Sequence, residues 1–267
     1  MRRGGRSNGR GWRIWRALWP PIAFGVLFLS LWEAAVNVFD WKPYFLPKPS
    51  RIWAEFLDNQ DQIRSAASVS GGNALVGLVL GTIFGIVVSF LLMRFRLLND
   101  MITPLAIALN AIPIFVLVAA FNRMFSLTSE VPRRLMVTLV VYFIVLVNVA
   151  KGLRQVQPTH LELLRSYAAS PIQVLRKARI PNAVPYLFTA LKIAAPAAVI
   201  TAFVAEYFGG AQNGLGTRIT SNLTANVTAA WAYVFGACLL GLAFYLVSIL
   251  LESITTRGAI GPGGGST

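Results

Sequence analysis

Six stretches of this chain are long and apolar enough to cross a bilayer as helix: approximately 17–36, 72–93, 101–121, 135–150, 183–206 and 229–251. A crossing helix takes about 20 apolar residues, and inside hydrocarbon a helix or a closed barrel alone satisfies every backbone group. No segment alternates polar and apolar residues as a barrel strand does. The pattern predicts an all-α integral membrane protein with about six transmembrane helices.

The chain holds 24 Lys+Arg against 10 Asp+Glu, a net charge of +14. In a soluble domain that excess would point to a polyanion such as nucleic acid. Here 56% of residues are hydrophobic and only 13% charged, against about 25% charged in soluble domains. A nucleic-acid-binding domain this apolar would have no polar surface left, so that class is excluded. The charge reads as topology instead. With the N-terminus cytoplasmic, fifteen basic residues lie inside, in 1–16, 94–100, the loop 151–182 and the C-terminal tail, against eight outside. The chain then divides into a basic tail 1–16, a membrane domain 17–252 and a Gly-rich tail 253–267. The arginine-rich start resembles that of a signal peptide, but the long apolar stretch and the five later spans read as a retained first span.

The second span carries Gly77, Gly81, Gly85 and Ser89 at every fourth position, and the fifth carries Ala190, Ala194, Ala198 and Ala202, with Pro196 as a kink. Such stripes let helices approach closely where burying apolar surface gives no drive. They serve either static packing within one subunit or a sliding interface. The third span contains Pro104, Asn110 and Pro113, and the fourth contains Asn148. An intramembrane amide either lines a polar pathway or is held by a structural hydrogen bond. Lys192 has a stem long enough to snorkel to the cytoplasmic end, and Glu206 sits at the outer end of the same span. Cys238 has no partner for an internal disulfide and reads as a small core residue. His160 has no neighbours at ligand spacing, so neither metal nor cofactor is expected.

The longest inside loop, 151–182, is basic. Thr159 followed by Glu162 predicts a capping box opening a helix. The apolar pattern breaks at Ala168-Ala169 and restarts at Ser170-Pro171-Ile172-Gln173, a second box with proline at the favoured first position. Pro181 is expected to end that second helix. Two short capped helices on a basic loop either rest on lipid headgroups or dock a cytoplasmic partner.

This loop resembles that of permease subunits in binding-protein-dependent ABC importers: Glu-Ala-Ala, three residues, Gly, nine residues, Ile, one residue, Leu-Pro. With Ile180-Pro181 at the final pair, the motif's glutamate falls on Glu162 and its glycine on Ala168. Leu163 and Leu164 stand in place of its alanines. Leu46–Trp53, the run Arg165-Ser166-Tyr167-Ala168-Ala169-Ser170, and Ala205–Gly210 followed by Gly214-Leu215-Gly216 resemble the nitrate, sulfonate and taurine importer subgroup.

The resemblance implies the transmembrane permease subunit of an ATP-driven importer for a small solute, a transport subunit rather than an enzyme. The chain has no Gly-x-x-x-x-Gly-Lys-Ser/Thr loop, so separate ABC ATPase subunits are expected as partners. A second permease, identical or homologous, and an extracytoplasmic substrate-binding protein complete the set, in the lipid bilayer of a plasma or inner membrane with both termini cytoplasmic. Thr159, Glu162, Arg165, Ser166, Ala168, Ala169, Ser170, Ile180 and Pro181 then form the ATPase-coupling loop, and Asn110, Asn148 and Glu206 are candidates for pathway or gate. The other class in view, an ion-gradient-driven transporter or channel, needs intramembrane acids or broken helices near the midplane. No acidic residue lies near the middle of any predicted span.

Overall fold

Long apolar runs form continuous helices because only intrahelical bonding satisfies the backbone in hydrocarbon. The computed structural model describes residues 9–95, 112–125, 129–210 and 213–257. In chain order these form α1 (Gly9–Val38), α2 (Pro49–Asp58), α3 (Gln60–Arg94), α4 (Ile114–Met124), α5 (Val131–Arg154), α6 (Pro158–Ser166), α7 (Pro171–Val174), α8 (Ile180–Gly209), α9 (Leu215–Asn222) and α10 (Val227–Arg257), with no strand among the described residues. Five of them, α1, α3, α5, α8 and α10, are long and apolar enough to span a membrane. Most of the third predicted span, with Asn110, lies outside the described residues; its last part is α4. α1 begins inside the expected tail and α10 runs past residue 252.

The core is a three-helix layer with α5 in the middle. Gly77, Gly81 and Gly85 of α3 face Val137, Val141 and Val145 of α5. The fit is closer than any side chain allows: a Cβ on Gly81 would stand 2.7 Å from the Thr138 carbonyl oxygen, and one on Gly85 2.8 Å from the Val145 Cβ. Ser89 finishes the stripe by donating to the carbonyls of Gly85 (2.6 Å) and Leu146 (3.1 Å). The alanine stripe of α8 joins the same core, with Ala190, Ala194, Ala198 and Ala202 fully buried beside Val141, Val145 and Val149. Both stripes thus pack inside one subunit, where dispersion across a close approach replaces the missing hydrophobic drive.

Lys192 has an acidic partner. Its Nζ pairs with Glu252 of α10, 2.9 Å from Oε2 and 3.0 Å from Oε1, tying α10 to α8. The acid completing this pair lies inside α10 because that helix outruns its predicted end. Cys238 is exposed on α10 rather than in the core.

Two short helices went unforeseen. α2 buries Ile52 and presses Trp53 and Phe56 on Phe235 of α10, with ring centroids 5.9 and 5.1 Å apart. Its N-terminus is capped from a distance: Glu33 of α1 accepts from the Ser50 amide (3.1 Å) and hydroxyl (2.8 Å). α9 inserts Leu215 and Ile219 among Ile63, Ala230 and Tyr233. α3 and α5 run parallel, with Gly77, Gly81 and Gly85 meeting Val137, Val141 and Val145 in the same order, and α8 returns against them. The contacts Trp32–Trp231 and Lys192–Glu252 then put the start of α1, the end of α10 and the 158–181 hairpin at one end of the bundle. α2, α9 and the C-terminus of α8 share the other.

Candidate functional site

At the hairpin end, Pro158 takes the first position of α6 and Gln157 precedes it as cap residue. Thr159 is therefore already helical, and the expected Thr159–Glu162 capping box does not form. The fixed φ of proline suits the first helical position, which starts the helix two residues early. Glu162 is exposed and bonds to nothing among the described residues.

α6 ends in a paired-bond turn. The Ala168 amide donates to the Arg165 carbonyl (2.9 Å) and the Ala169 amide to Leu164 (3.0 Å), with Ala168 left-handed at φ +51°. This is the Schellman arrangement, in which the left-handed position normally belongs to glycine. The motif's glycine geometry is thus present with alanine in the strained seat. Ala168→Gly relieves that strain, partly offset by the greater unfolded-state freedom of glycine, and is expected to stabilise the protein by about 0.5–1 kcal/mol. A higher thermal midpoint for the purified variant checks this.

The second capping box forms as expected: the Ser170 amide donates to Gln173 Oε1 (2.7 Å) and the Gln173 amide to Ser170 Oγ (3.4 Å). Pro181 does not stop the chain. A π-helical turn, Leu175–Arg179, carries α7 into α8. The proline then falls in the opening positions of α8, and the wider turn removes the demand for its missing N–H.

Asn182 welds the hairpin base to α5 by donating to the carbonyls of Gly152 (2.7 Å) and Gln155 (3.1 Å), while Tyr186 reaches the Gln155 side chain (3.1 Å). The free face is apolar, with Leu163, Tyr167 and Ile172 at 56, 76 and 67% exposure, beside exposed Arg165, Ser166, Arg176 and Lys177. Such a patch with a charged rim suits either of the two partners in view, lipid headgroups or a cytoplasmic protein.

At the far end, Glu206 is 1% exposed. Its Oε2 accepts from Ser70 Oγ of α3 (2.7 Å) and from the Gly216 amide (3.1 Å), and Ser70 Oγ in turn accepts from the Leu215 amide (2.9 Å). One carboxylate so ties α8, α3 and the start of α9. Gly214 lies against it at φ +128°, where a Cβ would overlap the carboxylate. Beside this knot, Glu130 pairs with buried Arg133 and accepts from Asn73, which also holds Arg134 Nε (3.1 Å).

Asn148 joins neither cluster. Its amide bonds the Ile144 carbonyl of its own helix (2.8 Å). Ser70, Asn73, Glu130 and Arg133 carry no sequence signal because nothing local pairs them with Glu206, whereas Gly214 is marked by the resemblance of its run Gly214-Leu215-Gly216.

The structure is thus that of a multi-helix membrane subunit with a hydrogen-bonded hairpin at one end and a buried carboxylate cluster at the other. The chain belongs to the family described as binding-protein-dependent transport system inner membrane component, whose pattern matches residues 77–257. It is 29% identical to a probable ABC transporter permease protein of Haemophilus influenzae, over 88% of this chain and 92% of that one. It is 28% identical to the formylaminopyrimidine transport permease ThiX of Halalkalibacterium halodurans (91% and 96%) and 22% to the taurine transport permease TauC of Escherichia coli (92% and 90%). The fold is similar to a chain of the MetNI methionine ABC transporter in inward-facing form, with TM-score 0.53 and 16% identity over 75% of this chain and 95% of that one. The protein is thus an ABC importer permease of the inner membrane, in keeping with the nitrate, sulfonate and taurine subgroup and not with a gradient-driven carrier.

Proposed function

We propose that this permease works in an assembly of two permease chains and two ATPase subunits, importing a small polar solute handed over by an extracytoplasmic binding protein. The hairpin end faces the cytoplasm, with both termini. Residues 158–181 dock on the ATPase, and closure of the ATPase pair moves the hairpin as a rigid body. The observation that carries this reading is the hairpin itself: closed by two capped turns, fixed to α5 by Asn182, and presenting Leu163, Tyr167 and Ile172 outward with no partner among the described residues. Motion at this surface passes into α5 and α8 together. Asn148 and Asn110 are pathway candidates, and Glu206 holds the outer gate.

Purifying the chain from its native membrane should bring down an ATP-hydrolysing subunit, and an uptake that survives ATP depletion would sink the reading. Because Glu162 serves no cap, its charge is free for the partner. Glu162→Gln is expected to lower uptake and substrate-stimulated ATP hydrolysis several-fold without changing thermal stability, since a lost interfacial charge pair weakens docking alone. Unchanged coupling rules out an ion pair at this position.

A further inference from the structure

Between α1 and α2 the far end carries a cluster of uncovered aromatic side chains. Phe39, Trp41, Tyr44 and Phe45 are 64, 37, 77 and 66% exposed. Phe39 stacks on Trp41 and Phe45 meets it edge-on, each at 5.4 Å between centroids. Trp53 and Leu57 extend the surface along the outer face of α2. The cluster follows directly on α1, which leaves the bundle almost bare, with 6% of its apolar window buried. Its height is fixed by the Glu33–Ser50 cap below and by Trp53 and Phe56 on Phe235.

We infer that residues 39–57 form a foot resting in the headgroup–acyl boundary of the far-end leaflet, with the lipid surface as its partner. Continuity with a spanning helix sets this depth. Trp and Tyr are the side chains that prefer it, having an apolar body and a polar tip.

The foot binds through its rings and not through charge. Its charges nearly balance, with Lys42, Lys48 and Arg51 set against Asp40 and Glu55 within the segment. Lys42 is paired to Asp40 at 2.9 Å and Lys48 Nζ donates to Asn37 Oδ1, so an anionic surface has little to add. The hydrogen bond from Lys42 holds the Asp40 carboxyl below its ordinary value, and Asp40 raises Lys42, so the pair stays ionised at neutral pH. A neutral lipid surface therefore suffices. By holding the α1–α2 corner, the foot keeps α1 beside a bundle it barely touches.

The test places an environment-sensitive nitrobenzoxadiazole label on Tyr44→Cys in a Cys238→Ser background, in the complete transporter reconstituted in nanodiscs of phosphatidylcholine with or without phosphatidylglycerol. Blue-shifted emission, quenched several-fold by doxyl-labelled lipid but not by aqueous iodide, equal in both lipids and unchanged by high salt, is expected. Iodide quenching overturns the inference. Protection from both quenchers overturns it too, because a protein then covers the surface. Insertion only with phosphatidylglycerol, or lost in salt, overturns its charge-independence. A Trp41→Ser/Phe45→Ser variant should weaken lipid quenching while the Trp53 contacts persist, and unchanged quenching would show that the rings do not hold the foot. None of these readouts involves uptake, so they stand or fall apart from the docking reading.

Discussion

Gly81→Val is expected to remove most of the folded transporter from the membrane. A valine here must place its Cβ 2.7 Å from both the Thr138 carbonyl oxygen and the Val141 Cβ. The first of these is helix backbone and cannot swing away. α3 and α5 would have to separate along the whole stripe, giving up the contacts at Gly77 and Gly85 and the Ser89 bond to Leu146. Overpacking of this kind costs about 3 kcal/mol or more, a large share of the stability of an ordinary domain. Gly72 is the control: nothing lies within 4 Å of its added Cβ. Gly72→Ala should be neutral or add up to about 1 kcal/mol of helix stability. Size-exclusion profiles in detergent and thermal midpoints of the two variants check the contrast. Equal behaviour would mean that the stripe does not set the helix spacing.

How much of this could be read from the sequence depends on the range of the physics involved. Spans were legible because bilayer crossing imposes a length and a composition on contiguous residues. The Gly77–Ser89 and Ala190–Ala202 stripes were legible for the same reason, since period four is local. The choice between packing and sliding was not, because it depends on Val137, Val141 and Val145 in another helix. α2 and α9 were missed as helices too short for the span criterion, and the distant cap on α2 comes from Glu33, seventeen residues before Ser50. The Ser170 box held because both partners lie within four residues. Thr159 and Pro181 were misread through proline: Pro158 claimed the helix start, and a π turn absorbed Pro181.

Glu206 was legible as an acid near a span end, but its role was not. The hydroxyl that holds it, Ser70, is 136 positions away in the chain, and the Gly216 amide lies across a turn from it. The Gly214-Leu215-Gly216 run gains its meaning only beside that carboxylate. A Cβ at 214 would overlap it, and one at 216 would stand 2.8 Å from the Glu206 Cβ. The Lys192–Glu252 pair was hidden for a simpler reason: the predicted span stopped one residue short of the acid.

Glu206→Ala is expected to abolish gating at the far end while leaving the hairpin intact. The substitution strands the Gly216 amide and leaves Ser70 Oγ with the Leu215 amide but no acceptor for its own proton. It also opens a cavity where a fully buried side chain stood. Lost bonds to a carboxylate together with the void cost about 2–4 kcal/mol locally. Every ~1.4 kcal/mol shifts a two-state equilibrium about tenfold, so a closed far end held by this knot should open roughly 30- to 700-fold more often. Uptake should fall by a comparable factor, and ATP hydrolysis should lose its dependence on the binding protein. Glu206→Gln separates hydrogen bonding from charge. Its amide oxygen can take the place of Oε2 and accept from both Ser70 and Gly216. The amide nitrogen takes the place of Oε1, which has no partner among the described residues, at the cost of two unpaired N–H groups there. That variant should retain most uptake. If glutamine fails as badly as alanine, the negative charge beside Arg133 holds the gate rather than the bonds to α3 and α9. If alanine transports normally, Glu206 has no part in the gate.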